Sequence, residues 1–287
     1  MELIRLENLV QGVVTKRPSN LIKCPYVADI ELNDGSNALG HTASLGCCGL
    51  ADTGATVLLG QSNPKKQTKN KNKNGLSCSH TVYLSVRDNQ IIGIHPKLSE
   101  KIVEVALNNN CLSILQNIIS YHKETTIYVK DKIDSRFDFT GIDKNGIPFI
   151  MEVKNVPLAD YEDVTSKERK NMDFSDRDIN SKVAYFPDGY RKKTTDTISP
   201  RALKHIEELA LIKRDSGDKI RCIMCYVIQR ADVNRFQPSV IDMDYRTAFK
   251  TAMDSGVEII TLVVQWNSNG QCHFVRDDLP ITPFLNP

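Results

Sequence analysis

The chain of 287 residues carries 37 Lys and Arg against 35 Asp and Glu, a net charge of +2 that is too small to signal a nucleic-acid partner by itself. At 40% hydrophobic and 25% charged residues it has the makeup of an ordinary globular protein, long enough to bury a sizeable core in two domains. No stretch reaches the continuous apolar length of a membrane span, which excludes an integral membrane protein of the helical kind.

From Ile4 to Ile92 the pattern is one of short strands separated by turns: Val10 to Thr15, Tyr26 to Leu32, Thr56 to Leu59 and Thr81 to Arg87. Short strands at close spacing suit a small barrel. Gln61 to Ser77 is almost free of apolar residues, and Lys65, Lys66, Lys69, Lys71 and Lys73 crowd it. It reads as a mobile loop that either meets phosphates from the barrel rim or is a solvated insertion. Pro96 to Asn108 is predicted helical, with Leu98, Ile102, Val103, Ala106 and Leu107 on one side, and the helical pattern continues from Leu112 to Tyr121. Strands follow at Thr125 to Val129, Arg136 to Gly141 and Ile147 to Val156. Ser199-Pro200 opens a helix, Ser as N-cap and Pro at the first position. Its apolar face is Leu203, Ile206, Leu209 and Ala210, and Arg201, Lys204, His205 and Glu208 share the wetter side. A strand from Ile220 to Ile228, a helix from Tyr245 to Ser255 and strands at Glu258 to Trp266 and Gln271 to Val275 complete a mixed α/β order.

The chemistry concentrates between Arg136 and Asn155. Phe137 and Phe139 alternate with Asp138, and Phe149, Met151 and Val153 alternate with Glu152 and Lys154, so both segments have one apolar and one polar face. With Lys144-Asn145-Gly146 as a three-residue loop and Gly146 left-handed, Asp138 falls opposite Glu152, and Lys154 sits two residues along on the same face. Two hard carboxylates suit Mg²⁺ or Mn²⁺. A cation there lowers the pKa of a bound water and polarises a phosphodiester, and an adjacent Lys orients the water and offsets growing charge. The plain alternative is an ordinary hairpin with solvated charges.

Ser135-Arg136-Phe137-Asp138-Phe139, Met151-Glu152-Val153-Lys154-Asn155-Val156, Phe186-Pro187-Asp188, Lys204-His205 with Glu208-Leu209, and Val227-Ile228-Gln229-Arg230 stand in this order. Together with His41, the Gly46 to Leu50 turn, Asn63-Pro64-Lys65-Lys66, and Asp242, Tyr245 and Gly256-Val257-Glu258, they resemble the sugar fermentation stimulation protein family over nearly the whole chain. The resemblance implies an N-terminal OB-like β-barrel, residues 1–92, followed by a PD-(D/E)XK nuclease-like α/β domain, residues 93–287. It also implies nucleic-acid binding, with DNA favoured over RNA. On this reading Asp138 and Glu152 hold Mg²⁺ or Mn²⁺, Lys154 positions the water, and Glu104 supplies the carboxylate that such domains take from their first helix. His41, Lys65, Lys66, Arg136, Arg201, Lys204 and Gln229 are the candidates for touching nucleic acid. Charged insertions between Leu158 and Ala184, and within Gly189 to Pro200, depart from the family pattern beside the site. The alternative function is a non-catalytic DNA-binding regulator on a nuclease fold.

Eight Cys and an N-terminus without a signal-peptide layout lead to the expectation of reduced thiols in the cytoplasm, or the nucleus of a eukaryote. Cys222 and Cys225 lie within an apolar strand pattern, so their sulfurs are expected on opposite faces and a zinc pair is not.

Overall fold

The computed structural model describes residues 1–43, 49–62, 76–187 and 196–282. The first strand, β1 (Glu2–Arg5), does not enter the barrel and pairs instead with the C-terminal part of the chain. The barrel begins with β2 (Val10–Lys16) and continues through β3 (Val27–Leu32), β4 (Asn37–Thr42), β5 (Thr56–Gln61) and β6 (His80–Arg87). Its order is β4-β3-β2-β5-β6, and parallel pairing of β4 with β6 closes it, leaving an OB-like cylinder of five strands. A short β7 (Gln90–Gly93) extends the sheet beyond β6. Val14, Ala28, Ile30, Val57, Leu59 and Val82 fill the interior. Gly40 leaves room at the closure for the Ile30 Cδ1 methyl, which a Cβ there would approach to 2.4 Å and push aside.

Helix α1 (Lys97–Asn108) buries Leu98, Ile102, Val103, Ala106 and Leu107, the stripe its spacing predicts. The expected continuation from Leu112 to Tyr121 is not helical. Asn110 and Asn117 adopt left-handed φ of 55° and 54°, and the Asn110 side chain accepts the Asn117 N–H at 2.5 Å. Leu112 and Leu115 are buried by the turns this creates, and the chain enters strand β8 (Ser120–Val129) directly. Apolar spacing of three was therefore a core contact without a helix.

Strands β9 (Ile133–Ile142) and β10 (Pro148–Val156) form a meander with β8. A small sheet follows, with β11 (Ala159–Asp160), β12 (Lys182–Phe186) and, later in the chain, β14 (Val233–Pro238) in the order β11-β12-β14. The short helix α2 (Ser166–Arg169) lies within the first insertion, fixed by a capping box of Thr165 and Glu168. The insertion is tied down by Lys182, which is 3% exposed and reaches Asp232 at 2.8 Å and Asp88 of the barrel's β6–β7 turn at 3.0 Å.

Helix α3 (Pro200–Ser216) has Pro at its first position as expected, but the Ser199 side chain makes no capping hydrogen bond. Strand β13 (Arg221–Ile228), helix α4 (Met243–Asp254), and strands β15 (Glu258–Trp266) and β16 (Gln271–Arg276) complete the chain. The large sheet runs β1-β16-β15-β13-β10-β9-β8, with β13 parallel to both β10 and β15. This order of helix, antiparallel meander, helix and parallel strand is the α/β arrangement expected of the second domain. Phe139, Phe149, Met151 and Val153 pack on the α1 side, and Phe137, Ile150, Met224 and Phe249 on the α3 and α4 side. Cys222 belongs to the second core and Cys225 to the first. Burial pushes the Cys222 thiol up to about 12, and the two sulfurs enter opposite cores, as the strand pattern predicts.

Candidate active site

The hairpin that carries the candidate residues is set by its loop. Gly146 has φ of +80°, and the Asp143 side chain accepts the N–H groups of Asn145 at 2.8 Å and Ile147 at 2.9 Å. Asp143 is itself held by Arg221 at 3.1 Å. The register runs from Ile142↔Pro148 to Phe139↔Met151, which brings Asp138 and Glu152 to the next pair. The ladder stops there. Asp138 Oδ2 accepts the Val153 N–H at 2.7 Å, taking the place of a strand partner. On the other side Glu124 of β8 has a left-handed φ of 53°, and Phe137 and Phe139 enter opposite cores. The sheet therefore opens beside Asp138, and its carboxylate lies in the split.

Glu152 is 3% exposed. Its Oε1 is contacted by Lys154 Nζ and by His205 Nδ1 from α3, while Oε2 is buried with no hydrogen-bond partner. The His205 ring packs on Phe137 with centroids 5.7 Å apart. Burial alone would raise the Glu152 carboxyl, but the Lys154 charge and the His205 contact outweigh it and hold it below its ordinary value. Asp138 goes the other way. Burial, then the Glu152 charge, pushes it up to about 7 against the opposing Val153 N–H and Lys154 charge. Two carboxyls with pKa values driven apart, one with a free buried oxygen, make a site poised to take a positive charge.

Glu104 is not in this cluster. It accepts from Lys123 Nζ at 2.7 Å and from the Tyr121 hydroxyl at 3.2 Å. Glu100, one turn earlier on α1, is the helix carboxylate whose charge acts on Asp138. His205 and Glu208 are buried, not on the wetter side of α3, and His205 joins the site through Glu152. The signal for it was faint: a His on the helix that crosses the hairpin, one position past the exposed Lys204.

Gln229 is also placed differently from the expectation of substrate contact. It is wholly buried, its amide donating to Ser99 Oγ at 2.9 Å and Asn155 Oδ1 at 2.8 Å and accepting from Trp266 Nε1 at 2.8 Å. Every polar atom is engaged, so it locks the start of α1 to the residue that follows Lys154. Gln229→Leu is expected to destabilise the fold by about 2–3 kcal/mol, because it leaves the buried Trp266 N–H without its acceptor, while Asn155 Oδ1 keeps only the Ser99 hydroxyl as donor. Urea unfolding checks this, and a loss below about 1 kcal/mol would contradict it.

Arg136 is exposed and 3.4 Å from Glu124, Lys204 donates to the Asp134 carbonyl at 2.5 Å, and Arg201 is exposed on the first turn of α3. His41 lies apart on the barrel surface, stacked on Tyr26 with centroids 6.3 Å apart. Lys65 and Lys66 lie outside the described residues, as does Asp188. No helix among the described residues is long and apolar enough to cross a membrane.

Comparisons with known proteins agree with this architecture. The model of the sugar fermentation stimulation protein RE domain matches residues 97–270, more than half of the chain. A sugar fermentation stimulation protein homolog from Alteromonas mediterranea is 30% identical over 88% of this chain and 89% of its own length. A homolog from Synechocystis sp. is 26% identical over 91% of this chain and 92% of its own. The structure of Pyrococcus furiosus SfsA in complex with Ca²⁺ superposes with a TM-score of 0.71 at 18% identity, covering 99% of this chain and all of that one. The chain belongs to the sugar fermentation stimulation protein family.

Proposed function

We propose that this chain binds nucleic acid, DNA in preference to RNA, and hydrolyses its phosphodiester bonds with Mg²⁺ or Mn²⁺ held by Asp138 and Glu152. The observation that carries the reading is the buried, unpartnered Oε2 of Glu152 beside an Asp138 carboxyl raised to about 7. A buried acceptor without a donor is the chemical complement of a hard cation. The structural neighbour with Ca²⁺ supports a divalent ion in this fold. When bound, such an ion would lower the pKa of a water and polarise a phosphate oxygen. The chain's own part is the rest. His205 and Lys154 hold the Glu152 carboxylate in place, the Val153 N–H aims Asp138, and the Lys154 ammonium stands where it can orient an attacking water and meet negative charge on the phosphoryl group. Arg136, Arg201 and Lys204 offer phosphate contacts around the opening.

One observation favours the second reading, a DNA-binding protein without catalysis. Among the described residues no three His, Cys, Asp or Glu side chains gather as a metal cluster. Mg²⁺ tolerates this, since it keeps several waters and takes few carboxylates beside its substrate phosphates. Labelled single-stranded DNA, duplex DNA and RNA incubated with Mg²⁺, Mn²⁺ or EDTA separate the two readings. Cation-dependent cutting supports the first, and binding without cutting under every condition leaves the second. In the same assay Glu100→Gln is expected to slow cleavage about tenfold and Glu104→Gln by less than about threefold, since only Glu100 acts on Asp138. The reverse order would show that the helix carboxylate is Glu104 after all.

A further inference from the structure

Away from the Asp138 and Glu152 site, a groove of about 730 Å³ opens between α3, α4 and the turn that joins β8 to β9. That volume lies in the range of pockets that take drug-sized ligands, roughly 300–1,000 Å³. Glu208 lines it and is 6% exposed. One carboxylate oxygen, Oε1, accepts the Asp134 N–H at 3.1 Å, and the other, Oε2, is buried with no partner. Lys204 stands 3.7 Å from Oε1 and does not satisfy Oε2. The rim carries Lys132, Lys204 and Arg214 beside Glu207 and Asp244, with Lys132 paired to Asp215 at 3.0 Å, and Leu203, Leu211 and Ala248 supply apolar wall.

We propose that this groove is a nucleotide site. An acceptor at the wall calls for a hydrogen-bond donor on the ligand, the apolar side chains suit the faces of a planar ring, and the Lys and Arg rim suits a phosphate. A base with an exocyclic amino group joined to a phosphate carries all three in one molecule. The amino group donates to Glu208 Oε2, and the phosphate meets Arg214 and Lys204. The occupant is either a free nucleotide or one unit of a bound strand. The site needs no cation, so it stands or falls separately from the nuclease reading.

The test is calorimetric titration of the whole chain in EDTA with AMP, CMP, UMP and adenosine, and with oligo(dA) and oligo(dT). AMP and CMP are expected to bind saturably, and UMP, whose base has no exocyclic amino group, about tenfold or more weakly. Glu208→Gln keeps an oxygen for the Asp134 N–H and replaces the free acceptor by a donor, so it is expected to remove that preference. Arg214→Ala, an exposed change that leaves the core intact, is expected to weaken AMP and not adenosine. Preference for AMP assigns a free nucleotide. Preference seen only as oligo(dA) over oligo(dT), and removed by Glu208→Gln, assigns a base within a strand. Equal binding of all probes, no binding, or affinities unchanged by both substitutions would overturn the proposal.

Discussion

Lys154→Ala is expected to lower cation-dependent DNA cleavage by on the order of 10²–10³-fold, with fold and DNA binding kept, and Asp138→Asn by at least as much. Among the described residues Lys154 supplies the one ammonium that contacts Glu152, and removing it takes away both the donor for a water and the charge that meets the phosphoryl group. Asp138→Asn removes a negative ligand while its carbonyl oxygen still accepts the Val153 N–H, so the hairpin keeps its geometry. The pair thus tests chemistry and not folding. Rates under single-turnover conditions in Mg²⁺ and Mn²⁺, with circular dichroism and DNA binding as controls, provide the measurement. Residual cleavage within about threefold of the unsubstituted chain for either variant would place the catalytic centre elsewhere. Cutting that survives in both and is insensitive to EDTA would point to a contaminating nuclease.

The part of this site legible in the sequence is the part written locally. Loop Lys144-Asn145-Gly146 and the alternation of Phe149, Met151 and Val153 determine the register, because a slip of one residue would turn them to the wrong face, whereas Phe137 and Phe139, expected on one face, enter opposite cores. Four of the five barrel strands and α1 were legible for the same reason, each by its own periodicity, whereas the closing strand β4 (Asn37–Thr42) was not. What was hidden depends on contacts distant in the chain. The split beside Asp138 rests on a left-handed Glu124 that no propensity would assign. Glu100 and Glu104 are equivalent by helical spacing, and only Lys123 and Tyr121 of the neighbouring strand separate them, by claiming Glu104. His205 and Glu208 looked wet because polar residues usually face water, yet α3 crosses β9 and β10 where Glu152 and Asp134 provide partners. Gln229 was a candidate for touching nucleic acid and is instead a buried lock between the end of β13, α1 and Trp266.

That buried charge also sets an expectation for stability. Asp138 binds its proton more tightly folded than unfolded, since burial lifts it from 3.8 to about 7. Its favourable contribution is therefore complete below about pH 4 and is lost as pH rises through 7. Above that, keeping the carboxylate ionised beside Glu152 works against folding by on the order of 3–4 kcal/mol. Asp138→Asn abolishes the penalty, so in EDTA at pH 8 the variant is expected to melt several degrees above the unsubstituted chain, with the gap closing toward pH 4. Adding Mg²⁺ or Ca²⁺ should reverse the order, because a cation stabilises the unsubstituted site by mass action and has lost a charged ligand in the variant. Thermal melts across pH 4–8, with and without cation, read both effects. A variant that melts lower than the unsubstituted chain at pH 8 in EDTA would mean that Asp138 is stabilised by its neighbours and that the site is not strained toward a cation. The same carboxylate that weakens the empty fold is then the reason the chain would hold its ion: the free energy that opposes folding without a cation is returned as affinity when one binds.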